Sequence, residues 1–219
     1  MESHLVGWRT FAVLGLALYA VGLLLAFGAR AWWHFRRTGD WGIRRVSSTE
    51  PFLGRLGAGL FGASLAMCAL GLIIGAVVPA WRLPIPNYWA WVGLAACVAG
   101  LLAVVASQLA MGTSWRVGVD PQERTELVTD GPFAWVRNPI FTAIGATLVG
   151  LALMVPNWVV LLALVLFVVG VQLQVRLVEE PHLITAHGDA YLYYARRTGR
   201  FVPGLGRLVG TRPGESTLG

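Results

Sequence analysis

The chain has 219 residues, of which 56% are hydrophobic and only 13% are charged. A water-soluble domain carries nearer a quarter of charged residues, so this composition excludes a protein that covers itself with a polar surface. The 17 basic and 11 acidic residues give a formal charge of +6, and the length suits a single helical bundle with its loops.

All of the basic residues are arginines, and most of them lie between apolar segments. This placement favours anionic lipid headgroups over nucleic acid as the partner of the positive charge. Cys68 and Cys97 each lie inside an apolar run, and we interpret them as small buried side chains. We expect no cleavable signal peptide, because the first apolar run lacks a cleavage site and is long enough to stay in the membrane.

Five apolar runs follow one another along the chain, at residues 7–27, 57–78, 88–111, 140–155 and 158–175. A helix needs about 20 residues to cross a bilayer, so the fourth run, at about 16, is short. Pro156-Asn157 separates the last two runs and predicts a tight turn. We therefore predict an all-α, polytopic membrane protein with about five transmembrane helices, a C-terminal antiparallel hairpin and a cytoplasmic catalytic tail.

The arginines are distributed unequally between the two ends of the predicted helices. Six lie between the first two runs, three before the fourth run and six in the tail region, whereas only Arg9 and Arg82 lie at the opposite end. The positive-inside rule then predicts a cytoplasmic site and an external N-terminus. An arginine-only chain is typical of a bacterial protein, so we expect an inner or plasma membrane.

The chain divides into three predicted regions. Residues 1–111 contain the first three helices and a basic cytoplasmic loop, residues 112–205 contain the last two helices and a polar tail, and residues 206–219 form a flexible C-terminus. Polar side chains are costly near a membrane, so their concentration in the second region indicates where the chemistry lies.

The first polar cluster precedes the fourth run. Pro139 suits the first position of a helix, and Asn138 then lies at the N-cap position. Arg137 would face the headgroups, so one interpretation is a capped helix start with a snorkelling arginine.

The second polar cluster follows the fifth run. Glu179 and Glu180 are adjacent at the predicted C-terminal end of a helix, where the helix dipole disfavours negative charge. Either a salt-bridge network, partly supplied by Arg176, or a bound ligand would compensate them. His182 and His187 do not make a typical metal set with these carboxylates, and we expect no metal. The predicted hairpin brings both clusters to the same end of the bundle.

Several spaced motifs of this region resemble one family. They are Gly131-Pro132-Phe133, Arg137-Asn138-Pro139-x-Phe141, Glu179-Glu180-x-x-Leu183, Gly188-x-x-Tyr191-x-x-Tyr194 and Arg200-x-x-Pro203. This order resembles the isoprenylcysteine carboxyl methyltransferase family, whose relatives include the membrane phospholipid methyltransferases. The resemblance covers about residues 112 to 205, and the first three helices carry no motif.

The resemblance implies an S-adenosylmethionine-dependent methyltransferase that acts on a lipophilic acceptor, such as an isoprenylcysteine-type carboxylate. It implies catalytic roles for Arg137, Glu180 and Arg200. It also implies a set of donor-binding residues, which are Asn138, Pro139, Phe141, Glu179, His187, Gly188, Tyr191 and Tyr194. We expect Arg137 and Arg200 to bracket one pocket, with the tail folded back over it.

This chain departs from the family at two positions. Asn138 replaces the usual histidine, and His187 replaces a common aromatic residue. Asparagine cannot titrate, so a mechanism that needs a base there is in doubt, whereas a carboxylate acceptor is already ionised at neutral pH. An amine or thiol acceptor would need a base, and His182 or His187 would be the substitutes. Because of its unfavourable position, Glu180 is expected to serve binding more than stability, so that Glu180→Gln would not lower the thermal stability.

Two other functions remain open from the residues alone. A membrane sterol or steroid reductase has a similar arginine and proline layout, but it would bind NADPH, and no dinucleotide fingerprint is present. A non-enzymatic transporter or scaffold would be expected to show intramembrane charges or an internal repeat, and neither is visible. The acceptor and the oligomeric state stay open at this point.

Overall fold

The computed structural model describes residues 2–43, 51–115 and 126–208. In these ranges the α-helices are α1 (Glu2–Leu23), α2 (Arg30–Thr38), α3 (Phe52–Val77), α4 (Tyr88–Met111), α5 (Pro132–Trp135), α6 (Pro139–Met154), α7 (Trp158–Gln174), α8 (Glu180–His187) and α9 (Asp189–Arg197). The predicted all-α architecture is confirmed for this part of the chain.

Four continuous helices are long and apolar enough to cross a membrane. They cover Gly7–Thr38, Phe52–Val77, Tyr88–Met111 and Trp158–His187. Helix α6 is apolar but has only 16 residues, as the short fourth run predicts. The count therefore agrees with the predicted bundle of about five helices, and the chain is an integral membrane protein.

The first helix continues beyond its apolar run. A π-helical segment, Leu24–Ala29, joins α1 to α2, and the helix ends only at Gly39, whose φ of 74° is left-handed. The buried Gln108 side chain donates from Nε2 to the Ala26 carbonyl, 2.8 Å away. Arg30, Arg36 and Arg37 were expected in a loop, and they lie instead on a helix.

The last long helix also continues past its apolar run. A second π-helical segment, Val175–Glu179, joins α7 to α8, which ends at Gly188 with a φ of 54°. The two glutamates therefore lie inside a continuous helix, and the helix-dipole argument for their position is wrong. Arg176 is also not their partner, because its Nε donates to Gln172 Oε1, 2.9 Å away.

The helices of the predicted C-terminal hairpin have their most extensive contacts elsewhere. Helix α7 packs mainly against α3 and helix α6 mainly against α4, while α6 and α7 contact each other less. The turn between them lies at the predicted position. There Asn157 accepts hydrogen bonds from the Val159 and Val160 amides, each 3.1 Å away, and donates to the Gly71 carbonyl. Helices α3 and α4 thus support α7 and α6, the two helices that carry the motifs.

Glycines permit these two close helix contacts. A Cβ atom on Gly150 of α6 would lie 2.5 Å from the Cys97 amide nitrogen of α4. One on Gly57 of α3 would lie 2.9 Å from the Gln174 nitrogen of α7. Small residues let membrane helices approach closely, so these glycines serve packing.

Candidate functional site

The segment after α9 folds back and joins the start of α6. Val136 and Gly199 form an isolated parallel β-bridge, and the Arg137 amide donates to the Gly199 carbonyl at 2.8 Å. The Asn138 amide donates to the Arg200 carbonyl at 3.1 Å. Gly199 has no room for a side chain, since a Cβ atom would lie 2.1 Å from the Val202 carbonyl oxygen. We name residues 198–208 the return segment.

Three charged side chains meet where the return segment passes α8. Arg137 Nη2 lies 2.6 Å from Glu180 Oε1. Arg200 contacts both carboxylate oxygens, with Nε 2.7 Å from Oε1 and Nη2 2.8 Å from Oε2. The three side chains are 1%, 7% and 11% exposed for Arg137, Glu180 and Arg200, respectively. This ion cluster is therefore nearly closed to solvent.

Arg137 is also bonded to the backbone of the return segment and of α9. Its Nη1 donates to the Ala195 carbonyl at 2.9 Å and to the Thr198 carbonyl at 2.5 Å, and its Nη2 donates to the Gly206 carbonyl at 3.1 Å. A buried arginine with so many protein acceptors holds the chain in place. On the other side of the cluster, the Glu180 carboxylate raises the pKa of Arg200 above its ordinary value.

Tyr191 and Tyr194 pack into a small core beside this cluster, together with Ala195. Tyr194 donates its hydroxyl to the Phe133 carbonyl at 2.6 Å, which joins α9 to α5. Burial raises the pKa of Tyr191 to about 12, with a smaller contribution from the Glu180 charge, and burial also raises the pKa of Tyr194. Both phenols are therefore neutral at physiological pH.

Glu179 differs from its neighbour. Its side chain is half-buried, and it makes no hydrogen bond or ion pair in the part of the chain that the structure describes. The second π-helical segment ends at this residue, so Glu179 and Glu180 lie at the junction of two helical geometries. One carboxylate is thus neutralised by two arginines, and the adjacent one has no counter-charge among the described residues.

Of the remaining predicted residues, some lie beside the ion cluster and others lie away from it. Asn138 lies at the N-cap position, but it makes no capping bond, and its Nδ2 donates instead to the Arg200 carbonyl at 3.2 Å. Pro139 is buried at the first position of α6. Phe141 lies in the apolar core, its ring 5.8 Å from that of Phe61. His187 and Gly188 lie at the end of α8, where no described contact joins them to the ion cluster.

The sequence did not indicate several contacts of the site. Thr142 donates its hydroxyl to the Phe201 carbonyl at 2.8 Å, which attaches the return segment one turn further along α6. A threonine four residues after Asn138 in an apolar helix was a signal for such a role. The carbonyl acceptors of Arg137 left no signal, because any residue type supplies a carbonyl.

An apolar crevice lies deeper in the bundle. It is bounded by α1, the first π-helical segment, α3, α4 and α6, and its lining residues are Tyr19, Gly22, Leu23, Ala26, Phe27, Leu65, Leu101, Val104, Ile144, Thr147 and Leu148. Phe27 of this lining is in ring contact with Phe61, which in turn contacts Phe141 near the start of α6. Aromatic side chains thus connect the crevice with the region of the ion cluster.

Comparison with known proteins finds similarity to membrane methyltransferases in about half of the sequence and in the fold. Residues 88–190 match the sequence model of the phospholipid methyltransferase family. The fold is similar to a solved structure of the eukaryotic intramembrane Ras methyltransferase, isoprenylcysteine carboxyl methyltransferase. The TM-score is 0.54 and the identity 18%, over 90% of this chain and 74% of that one.

One curated protein is related over most of its length. The nickel-cobalt-cadmium resistance protein NccN of Alcaligenes xylosoxydans xylosoxydans is 26% identical over 166 residues, which cover 74% of this chain and 72% of that protein. In residues 2–43, 51–115 and 126–208, no group of three or more histidine, cysteine, aspartate and glutamate side chains could hold a metal ion.

Proposed function

We propose that this integral membrane protein, whose residues 88–190 match the phospholipid methyltransferase family model, transfers a methyl group from S-adenosylmethionine to a lipophilic acceptor. The proposed site is the region around the ion cluster, at the end of the bundle where α6 begins and α7 continues into α8. The proposed orientation places this end in the cytoplasm, as the arginine distribution indicates.

The contrast between Glu179 and Glu180 is the observation that carries this proposal. Glu180 already has two guanidinium partners, so it has little capacity to bind another cation. Glu179 is half-buried and has no partner among the described residues. A free carboxylate at such a position fits the ammonium group or the ribose hydroxyls of S-adenosylmethionine, because charge-assisted hydrogen bonds are strong where water is partly excluded.

The roles that the resemblance implies for the three charged residues require refinement. Most donors and acceptors of Arg137, Glu180 and Arg200 pair with one another or with the backbone, which favours a positioning role over contact with the reacting atoms. The exception is Arg137 Nε, which is buried and has no acceptor among the described residues. These three residues join the return segment to α6 and α8, and they would thereby fix the position of the neighbouring Glu179. We retain donor contacts as proposals for Asn138, Pro139, Phe141, Glu179, His187, Gly188, Tyr191 and Tyr194.

S-adenosylmethionine, when bound, supplies an electrophilic methyl group on a sulfonium, and its loss to an acceptor leaves S-adenosylhomocysteine. Asn138 cannot take a proton, and the buried tyrosines stay neutral. We propose an ionised carboxylate as the acceptor, because such an oxygen needs no base, whereas an amine or thiol acceptor would need one from another residue, such as His182 or His187. The protein's contribution is then to orient the two reactants and to exclude water.

The apolar crevice supports a lipophilic acceptor. Its lining is almost entirely hydrocarbon and aromatic, and the contacts from Phe27 through Phe61 to Phe141 run toward the start of α6. The open space in the crevice is only about 30 Å³, so an acceptor with a long apolar chain would enter it only if these helices move apart, with its polar end near the site. An isoprenylcysteine-type carboxylate or a related lipid has this character.

Methyl transfer to membrane lipids and lipidated peptides tests this proposal. Purified protein is incubated with S-adenosylmethionine carrying a radioactive methyl group, together with an isoprenylated cysteine derivative or with phospholipid vesicles. Mild base then hydrolyses methyl esters to volatile methanol, whereas N-methyl groups stay in the lipid. We expect base-labile label that requires the protein.

Two other outcomes of this assay would change the account. Base-stable label in the phospholipid would keep the methyltransferase and replace the carboxylate by an amine acceptor. Absence of transfer to both acceptor classes, combined with protein-dependent oxidation of NADPH in the presence of a sterol, would instead establish the reductase and overturn the proposal.

A further inference from the structure

A second cationic cluster lies at the same end of the bundle, at the start of α2. Arg30 is buried, with 6% of its surface exposed. Its guanidinium carbon lies 4.3 Å from the ring centroid of Trp33 and 5.3 Å from that of Trp115, and its Nη2 donates to the Gly112 carbonyl. Its Nε is buried and makes no hydrogen bond among the described residues.

A second guanidinium shares the same indole. The guanidinium carbon of Arg37, about two helical turns later on α2, lies 4.1 Å from the Trp33 ring centroid, and its side chain is exposed. Within residues 2–43, 51–115 and 126–208, neither arginine forms an ion pair. Like charges held close together repel, and burial of an unpaired charge is costly, so an anion from outside the chain would stabilise this arrangement.

The position along the helix indicates where such an anion comes from. Arg30 follows Gly7, the first residue of the span, by about 23 residues, which is about 35 Å at helical rise and exceeds a hydrocarbon core of ~30 Å. Its contact with Gly112, directly after α4, places it where a second span ends. Exposed Trp32 and Phe35 flank the cluster, as is typical of the membrane interface.

We propose that Arg30, Arg37 and Trp33 form a binding site for the phosphate of an anionic phospholipid. Arginine binds phosphate through two parallel hydrogen bonds, and the exposed donors of Arg37 are available for this. Arg30 lies beneath the surface and adds a positive charge whose Nε has no acceptor among the described residues. A lipid of net negative charge fits better than a zwitterionic one, because the two arginines form no ion pair among the described residues and leave the cluster positively charged. The site is separate from the ion cluster and does not depend on the proposed methyl transfer.

Lipid-dependent thermal stability tests this site. The full-length protein is unfolded in phosphatidylcholine micelles that contain increasing fractions of phosphatidylglycerol, and a parallel series contains inorganic phosphate instead. We expect phosphatidylglycerol to raise the unfolding midpoint by about 5 °C, since a ligand that binds only the folded state stabilises it. Inorganic phosphate should raise it by much less, because it lacks a membrane anchor.

Two matched variants separate a specific site from general charge attraction. Arg37→Gln and Arg36→Gln each remove one exposed charge from α2, but the Arg36 guanidinium lies over Trp32 instead of Trp33. Arg37→Gln should lose more than half of the phosphatidylglycerol-induced shift, and Arg36→Gln should keep most of it. Equal losses in both variants, an equal shift with inorganic phosphate, or no shift in the parent protein would each overturn the proposed phospholipid site.

Discussion

At the scale of single residues, the site is organised by an asymmetry between neighbours. Glu180 is enclosed by Arg137 and Arg200, whereas Glu179 has no partner among the described residues. Burial of the Glu180 carboxylate is tolerated because its charge and its lone pairs are satisfied by guanidinium donors. The Glu179 carboxylate is therefore the one that can bind a ligand.

Replacement of each glutamate by glutamine should separate these two roles. Glu180→Gln leaves two arginines without their counter-charge in a buried cluster, which typically costs about 3–5 kcal/mol, and we expect the unfolding midpoint to fall by roughly 5 °C or more. This reverses the expectation from the sequence, which treated Glu180 mainly as a ligand-binding residue.

Glu179→Gln, the matched variant, should keep the parent's unfolding midpoint. It should weaken S-adenosylmethionine binding by about tenfold or more, which corresponds to roughly 1.4 kcal/mol. Thermal unfolding and calorimetric titration of the two variants measure both effects. Full donor affinity in Glu179→Gln would remove this residue from the proposed donor site.

Arg200→Lys tests the positioning role of the ion cluster. Arg200 contacts both oxygens of Glu180 through a planar fork that lysine lacks, so a lysine keeps the charge and loses the geometry. We expect donor affinity or turnover to fall about tenfold at temperatures where the variant is fully folded. Arg137→Lys should behave alike, and Arg197→Lys, at an exposed position of α9, is the control. Normal binding and turnover in both cluster variants would mean that these arginines have no role beyond stability.

At the scale of helices, the motif-bearing elements depend on helices that carry no motif. Helix α7 continues into the two glutamates, and it is held against α3 where Gly57 meets Gln174. Helix α6, which begins one residue after Asn138, is held against α4 in a similar way. The spacing of the two polar clusters is thus set by long-range helix packing.

Gly57→Val should disturb the site from this interface. The added side chain would meet the α7 backbone at less than 3 Å, and we expect a shift of that backbone to displace Glu179, which lies five residues after Gln174 on the same continuous helix. We expect a loss of stability of about 1–3 kcal/mol together with weaker donor binding. Gly62→Val on the same helix is the control, because nothing lies within 4 Å of its added Cβ atom. Similar behaviour of the two variants would show that this contact does not position the site.

Hydropathy predicted the ends of the helices well where a helix stays within the membrane, and poorly where a helix continues beyond it. The runs at 88–111 and 140–155 agree with α4 and α6 to within a residue, and the turn at Asn157 is where the sequence placed it. Arg30–Thr38 and Glu180–His187 are polar but continue their helices, because backbone hydrogen bonding does not stop at the membrane surface. An apolar run reports the thickness of the bilayer, not the length of the helix.

The proximity of the three charged residues was predictable from the sequence, whereas their individual contacts were not. The motifs brought Arg137, Glu180 and Arg200 together correctly as neighbours of one region. The partner of each charge was not predictable, because the acceptors of Arg137 are backbone carbonyls and the return segment is fixed by Gly199 and Thr142. Such contacts depend on the fold of the tail, which no local pattern specifies.

At the scale of the whole molecule, the ends of the helices define two faces. The start of α6, the end of α4 and the start of α2 lie at one end, and the segment around Pro86 lies at the other. Arg44, Arg45, Arg116, Arg124 and Arg212, which contribute to the predicted charge asymmetry, lie outside the described residues. The N-terminus-outside orientation therefore rests on the arginine count and stays a prediction.

Cysteine labelling tests this orientation. Pro86→Cys and Thr38→Cys place thiols at exposed positions of opposite ends, and the native Cys68 and Cys97 are fully buried, so they should remain silent. In intact cells an impermeant maleimide should label the cysteine at position 86 and not the one at position 38. The opposite labelling pattern would invert the topology and place the proposed site outside the cell.

Direct titration of the purified protein with its proposed donor tests the central claim. Calorimetry in detergent micelles should show saturable binding of S-adenosylmethionine and of S-adenosylhomocysteine, one molecule per chain, and no binding of NADPH. The Glu179→Gln variant should lose most of this affinity, while Arg197→Lys should keep it. Saturable binding of NADPH without binding of either S-adenosyl compound would contradict the assignment of this site to methyl transfer.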